Sequence, residues 1–215
     1  MSSSLARRSN IEITVFGFLV SLTLKGSLDT AYSQTVSVAT TWSEMLYAVW
    51  VPTSFLLFVF LITLLRFVYG AYRFHEEARE ASADIEPGVQ LWNIFATLLL
   101  FVFFYITGLS IQHAEPFFIG LIVVHLWDLI WFIVTVVFTN SLGSNIKRVI
   151  RNFVIIDALT ILLLAVTISY LRDSYRNQAA FIMLVAAAAD LLWNRKFFFH
   201  PEEWRKQNSK LEGQV

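Results

Sequence analysis

Arg66, Asp128, Asp157 and Asp190 stand inside apolar stretches long enough to cross a bilayer, where a charge at mid-helix costs roughly 2.5 to 3.5 kcal/mol on insertion scales. Residues that carry such a cost usually face a bundle interior and pair with one another, or line a water-filled path. Arg66 keeps its charge, and its planar fork of donors fits a carboxylate, so Asp128, Asp157 or Asp190 is its expected partner. A charge clamp between helices, with Arg66 and Asp190 as members, is the leading reading of these two residues. One permanent cation offsets one acid and leaves two to be protonated, paired across subunits or exposed to water. That surplus is the sequence argument for a cation or proton path.

His125 and Asp128 lie three residues apart and share a helix face. A neutral imidazole beside a carboxylate suits a proton relay or a cation site, because histidine titrates near physiological pH. The competing reading is a hydrogen-bonded buried pair that orders the bundle. Asp128, His125 and Asp157 are the candidates for an ion or proton pathway. A metal site is not expected: two ligands do not make one, and His113 precedes His125 by about 18 Å of helix at 1.5 Å per residue. The absence of cysteine removes disulfides, thiolate metal sites and cysteine nucleophiles. No Gly-rich phosphate loop, His-Glu-x-x-His or Gly-x-Ser-x-Gly elbow is present. An enzyme is therefore the weaker class, and no cofactor is implied.

The elements that position these groups follow from composition. Of 215 residues, 57% are hydrophobic, only 15% are charged and 20 are Phe, which describes a multi-pass membrane protein. About 20 apolar residues span a hydrocarbon core, and backbone polar groups in lipid must be satisfied within the chain. The expected fold is thus all-α, a polytopic transmembrane helical bundle forming one domain over residues 1–215. Spans are expected at about 11–31, 45–72, 89–111, 116–139, 152–171 and 179–194. The first has the flanks of a signal peptide and is read as an uncleaved anchor, extended through Lys25 and Asp29, which lie four apart and can pair on one face. If it is interfacial instead, five spans remain.

With six spans and both termini in the cytoplasm, Arg7, Arg8, Arg73, Arg79, Lys147, Arg148, Arg151, Arg195, Lys196, Arg205, Lys206 and Lys210 lie inside. Only Arg172 and Arg176 lie outside, a strong positive-inside bias. The expected location is the cell membrane, inner or plasma. A formal net charge of zero gives no basic surface that calls for nucleic acid. The partners implied are the bilayer, further copies of the chain through small-residue surfaces such as Ala186–Ala189, and a cytoplasmic protein. For that last partner the docking candidates are His75, Glu76, Glu77, His200, Glu202 and Glu203; the plainer reading is a pair of solvated helix ends.

Arg66, Asp128 and Asp190 are evenly spaced at 62 residues, since 128 − 66 and 190 − 128 both equal 62. The same offset aligns Arg66-Phe-Val-Tyr69, Asp128-Leu-Ile-Trp131 and Asp190-Leu-Leu-Trp193. A three-fold helix-hairpin repeat accounts for this, as does chance alignment of apolar helices. Asp157 falls outside the series, its counterpart 62 residues earlier being Phe95. Two functions are carried forward: an oligomeric ion or proton pathway, and a non-conducting sensor or anchor subunit that recruits a cytoplasmic effector in signalling or defence.

Overall fold

The structure is a computed structural model that describes residues 17–33, 52–81, 87–138, 144–170, 175–200 and 202. Helix α1 covers residues 17–33. It is followed by α2 (Pro52–Ala81), α3 (Pro87–Leu109), α4 (Ala114–Phe138), α5 (Ser144–Tyr170), α6 (Tyr175–Trp193) and the short α7 (Arg195–Phe199). The described residues contain no strand.

Four segments are long and apolar enough to cross a membrane: Phe55–Arg73, Leu91–Leu109, Ala114–Val137 and Lys147–Tyr170. They mark the chain as a membrane protein. The two other expected spans fall short for visible reasons. The described part of α1 is short, residues 11–16 of that span lying outside the description, and α6 opens on Tyr175-Arg-Asn-Gln178 before its apolar stretch begins. Residues 45–51 of the second expected span also lie outside the described residues. Pro52 is the first residue of α2, where its missing N–H leaves no helical bond unmade. Helices α2 and α5 run past their apolar stretches, so that Lys147, Arg148 and Arg151 stand exposed on the first turns of α5.

The burial pattern is that of a bundle in lipid. Leu65, Leu91, Val137 and Leu162 are exposed, whereas Arg66, Asn93, His125, Asp128, Asp157 and Asp190 are buried. A helix that is apolar even on its outer face is suited to hydrocarbon, and intramembrane polar groups turn inward.

The helices touch in the cyclic order α2, α6, α5, α4, α3, with α4 also reaching α6. Contact pairs give their directions. Trp131 with Asn93 and Trp127 with Ala96 set α4 antiparallel to α3; Phe132 with Phe153 and His125 with Asp157 do the same for α4 and α5. Asn152 meets Asn194 at the foot of α5 and the end of α6. Arg66 meets Asp190 on α6, and Tyr69, further along α2, donates to the Phe198 carbonyl of α7, which follows α6 in the chain, so α2 and α6 run parallel. The α3–α4 turn is tight, with Ser110 N bonded to Thr107 O and Phe117 N to His113 O, which seats Pro116 in the first turn of α4.

Helix α1 packs from outside on the join of α2 and α3. A Cβ on Gly108 would strike the Ser27 side chain and come within 3.2 Å of Phe60, and one on Gly26 would lie 2.8 Å from Tyr105. Small residues allow this close approach. Gln112 donates to the Thr30 carbonyl at 3.1 Å and ties the end of α1 to the α3–α4 turn. Lys25 and Asp29 pair at 2.6 Å on the exposed face.

Candidate functional site

Mid-height in the ring, α2, α4, α5 and α6 each turn an ionisable side chain inward. Arg66 is 5% exposed, Asp128 4%, and His125, Asp157 and Asp190 are fully buried. Each stands in an apolar sequence whose helical backbone already satisfies its own polar groups, so the side chains find their partners among other side chains.

Arg66 divides its fork between two acids. Nε donates to Asp190 Oδ2 at 2.6 Å and Nη2 to Asp157 Oδ1 at 2.9 Å. The same Oδ1 lies 2.8 Å from His125 Nδ1, and Asp128, three residues after His125 on α4, is buried and borders a cavity with Arg66 and Asp190. Asp157 is therefore the hub, touched by Arg66 from α2 and by His125 from α4. Its Oδ2 and His125 Nε2 have no hydrogen-bond partner among the described residues. With Nδ1 protonated, a neutral His125 donates to Asp157 and leaves Nε2 as a bare acceptor.

A polar chain continues from Asp190 toward the end of α6. Asn194 Nδ2 donates to Asp190 Oδ1 at 2.7 Å, and Asn152 Nδ2 donates to Asn194 Oδ1 at 3.0 Å. A cavity of about 20 Å³ lies beside the cluster, lined by Arg66, Asp128, Asp190, Trp131, Phe132 and Phe153 among others. That is room for about one water molecule. Apolar layers close the cluster on both sides. Phe132 stacks on Phe153 at 5.4 Å, and Phe153 meets Phe197 and Phe198 edge-on. Toward the α3–α4 turn, Phe60 packs on Phe104 and Phe117, with Leu64, Leu100 and Leu121 fully buried around them.

Electrostatically, one fixed positive charge faces three carboxyl groups and an imidazole. With all three acids ionised and His125 neutral, negative charge exceeds positive by two. A dry site does not hold such an excess without protons. The arrangement can bind and exchange protons. Binding a metal cation through Asp157 and Asp190 would first require Arg66 to leave them, and among the described residues no group of three or more His, Asp and Glu is placed to hold a metal.

All five intramembrane candidates from the sequence meet here, with one rearrangement: the hydrogen-bond partner of His125 is Asp157 on the neighbouring helix. Shared face on one helix did not decide that contact. Asn152 and Asn194 were not singled out in the sequence. Their signal was available, as polar residues five before Asp157 and four after Asp190 in apolar helices. Of the docking candidates, His200 and Glu202 are exposed. The side chains of His75, Glu76 and Glu77, and all of Glu203, lie outside the described residues. Ala186 and Ala187 are buried within the chain's own bundle. No protein-family model, curated protein or solved structure matches the chain.

Proposed function

We propose that this chain is a small multi-pass membrane protein that moves protons through the cluster centred on Asp157. The observation that carries the reading is the sharing of one buried carboxylate oxygen, Asp157 Oδ1, by a fixed cation and an imidazole. Such a hub is stable only with a definite proton count, and changing that count is what a proton pathway does. Protons are favoured over larger cations because Arg66 already occupies two of the three acids, and the adjoining cavity has room for about one water.

In this reading all six segments, 11–31 and 179–194 included, cross the cell membrane with both termini in the cytoplasm. Lys147, Arg148, Arg151, Arg195 and Lys196, exposed at one end of the bundle, support that orientation. The 62-residue repeat places Arg66, Asp128 and Asp190 on alternate, parallel helices. The pathway lies within one chain, since a single copy supplies every group; association into homo-oligomers is then a separate property. Passage requires the Phe132–Phe153 layer to part, giving water access from the cytoplasmic side.

A second reading rests on that same layer. Because aromatic side chains close the cluster at both ends, the charges also suit a clamp inside a non-conducting anchor whose cytoplasmic segments recruit an effector. Proton flux into liposomes separates the two. Uptake by the wild type, reduced to that of empty vesicles by Asp157→Asn, is the expected result. A wild type with no more flux than empty vesicles overturns the pathway.

A further inference from the structure

We infer that the outward seam between α5 and α6 binds one anionic phospholipid, its phosphate held by Arg148 and Arg195 and an acyl chain lying along Ile155, Leu159 and Ala188. The site is on the outside of the bundle, so it stands whether or not protons cross the interior.

A hydrogen bond fixes its level. Asn152 on α5 donates at 3.0 Å to Asn194, which follows the last residue of α6, and this bond brings the start of one helix beside the end of its neighbour. Arg148 stands about one turn before Asn152, and Arg195 directly follows Asn194. Both are exposed, as are Lys147 and Arg151. Two segments thus deliver cations to one corner, and none of these four side chains has an ion-pair partner among the described residues.

Helix α5 adds its own field. It begins at Ser144 and has no acid in its first turn, so the partial positive charge of its opening N–H groups is not offset there. A helix N-terminus favours an anion, and the planar donor fork of arginine suits a phosphate.

The surface leading away from the cations selects a lipid over a free phosphate. Arg148, Asn152, Ile155 and Leu159 follow at spacings of four, three and four residues, so they form one stripe on α5. Asn152 is the member that reaches Asn194, which sets the stripe beside the seam. Ile155 and Leu159 are exposed. Across the seam, Ala188 is exposed seven residues before Arg195, between half-buried Leu184 and Leu191, so the surface dips there. Trp193, next to Asn194, is 56% exposed and suits the interfacial layer. The apolar segment of α5 starts at Lys147, which puts the cations at the edge of the hydrocarbon and the stripe within it. A basic corner above apolar helix faces is matched by a phosphate that carries a hydrocarbon tail. A zwitterionic headgroup brings a cation of its own to that corner and fits less well.

Electron spin resonance of the full-length protein in phosphatidylcholine vesicles tests the site, using a trace of chain-labelled phosphatidylglycerol with chain-labelled phosphatidylcholine as reference. The immobilised fraction should favour phosphatidylglycerol, and unlabelled phosphatidylglycerol should displace the excess at one lipid per chain. Arg148→Gln and Arg195→Gln should each lower the preference about fivefold, the contribution of one cation near an anionic headgroup. Lys25→Gln with Arg176→Gln removes two charges at the other end of the bundle, near the α3–α4 turn, and should leave the preference intact. Ala188→Trp fills the dip at an exposed position and should weaken the preference with every cation in place. A wild type without preference overturns the proposal, as does a preference that survives the combined Arg148→Gln and Arg195→Gln change or falls equally in the control. A preference untouched by Ala188→Trp overturns the seam. Loss of the wild-type preference in glycerol phosphate, which has no acyl chain, overturns the lipid in favour of a plain anion site. The displacement and glycerol phosphate arms use the wild type and do not depend on a variant folding.

Discussion

Arg66 and Asp190, 124 residues apart in the chain, meet at 2.6 Å between two parallel helices. The contact joins α2 to α6, and the second arm of the same guanidinium extends it to α5 through Asp157. One side chain thereby ties three of the five helices in the ring, a task that lysine, with its single ammonium on a flexible stem, would perform less well.

Replacing Arg66 by Leu should strand two buried acids and destabilise the bundle by about 3 to 5 kcal/mol, by analogy with broken buried pairs in soluble proteins. Because the fork is divided, neutralising one acid cannot restore the site. Arg66→Leu combined with Asp190→Asn should recover part of the loss, and adding Asp157→Asn should recover more. Thermal unfolding in detergent measures the series. If the triple variant is no more stable than Arg66→Leu alone, the clamp is not what holds these helices together.

His125 has a smaller and separable effect. Its Nδ1 contact with Asp157 is a hydrogen bond to a charged group, and removing one leaves about 1.5 to 3 kcal/mol unrecovered. His125→Leu should lose that much stability. His125→Gln, which keeps a donor within reach of Asp157, should lose less. In vesicles both variants should lose proton flux, because neither side chain titrates. Flux retained by His125→Gln would remove the imidazole from the pathway and leave it a packing role against Phe67, whose ring centroid lies 5.2 Å away.

How much of this was legible in the sequence differs by link. Membrane helices were legible because composition and run length dictate them, and the inward turn of Arg66, Asp128, Asp157 and Asp190 followed from the cost of charge in lipid. The pairing among them was not. Helical periodicity put His125 and Asp128 on one face, but which acid the imidazole meets depends on how α5 is rotated against α4. That rotation is set by the packing of Phe132 on Phe153 and by neighbouring contacts, which no single-helix pattern contains. Helix ends need not coincide with span ends. Apolar runs mark the hydrocarbon layer, whereas helix α5 begins at Ser144, well before its apolar stretch. The contact of α1 with α3 depends on Gly108, a residue whose importance is visible only once Ser27 lies against it.

That contact supplies the next prediction. Gly108→Val places a side chain where Ser27 and Phe60 already stand, and overpacking of this kind costs about 1 to 3 kcal/mol. The strain should be relieved by displacement of α1, which packs on the core through Leu19, Val20, Leu24 and Ala31 and is tied to the α3–α4 turn by the bond from Gln112 to Thr30. Cysteines at Lys25 and Tyr105, introduced into a chain that has none, should crosslink less readily in the Gly108→Val background. Equal crosslinking in both backgrounds would mean that α1 is seated by other contacts.

Phe153 is the residue that decides between the two functional readings. It stacks on Phe132, meets Phe197 and Phe198 edge-on, and borders the cavity beside Asp128 and Asp190. Phe153→Ala should cost about 3 to 5 kcal/mol, as truncation of a buried aromatic does. It also enlarges a cavity that Arg66, Asp128 and Asp190 border, giving room for further water beside those charged groups. If the layer gates a proton path, the variant should conduct faster than the wild type, and Phe153→Ala combined with Asp157→Asn should not conduct. If the layer only seals a clamp, Phe153→Ala should lose stability and show no more flux than empty vesicles. Measuring unfolding and flux on the same preparation keeps a folding failure from passing as a closed pathway. Faster flux that survives Asp157→Asn would indicate a nonspecific leak and count against the hub.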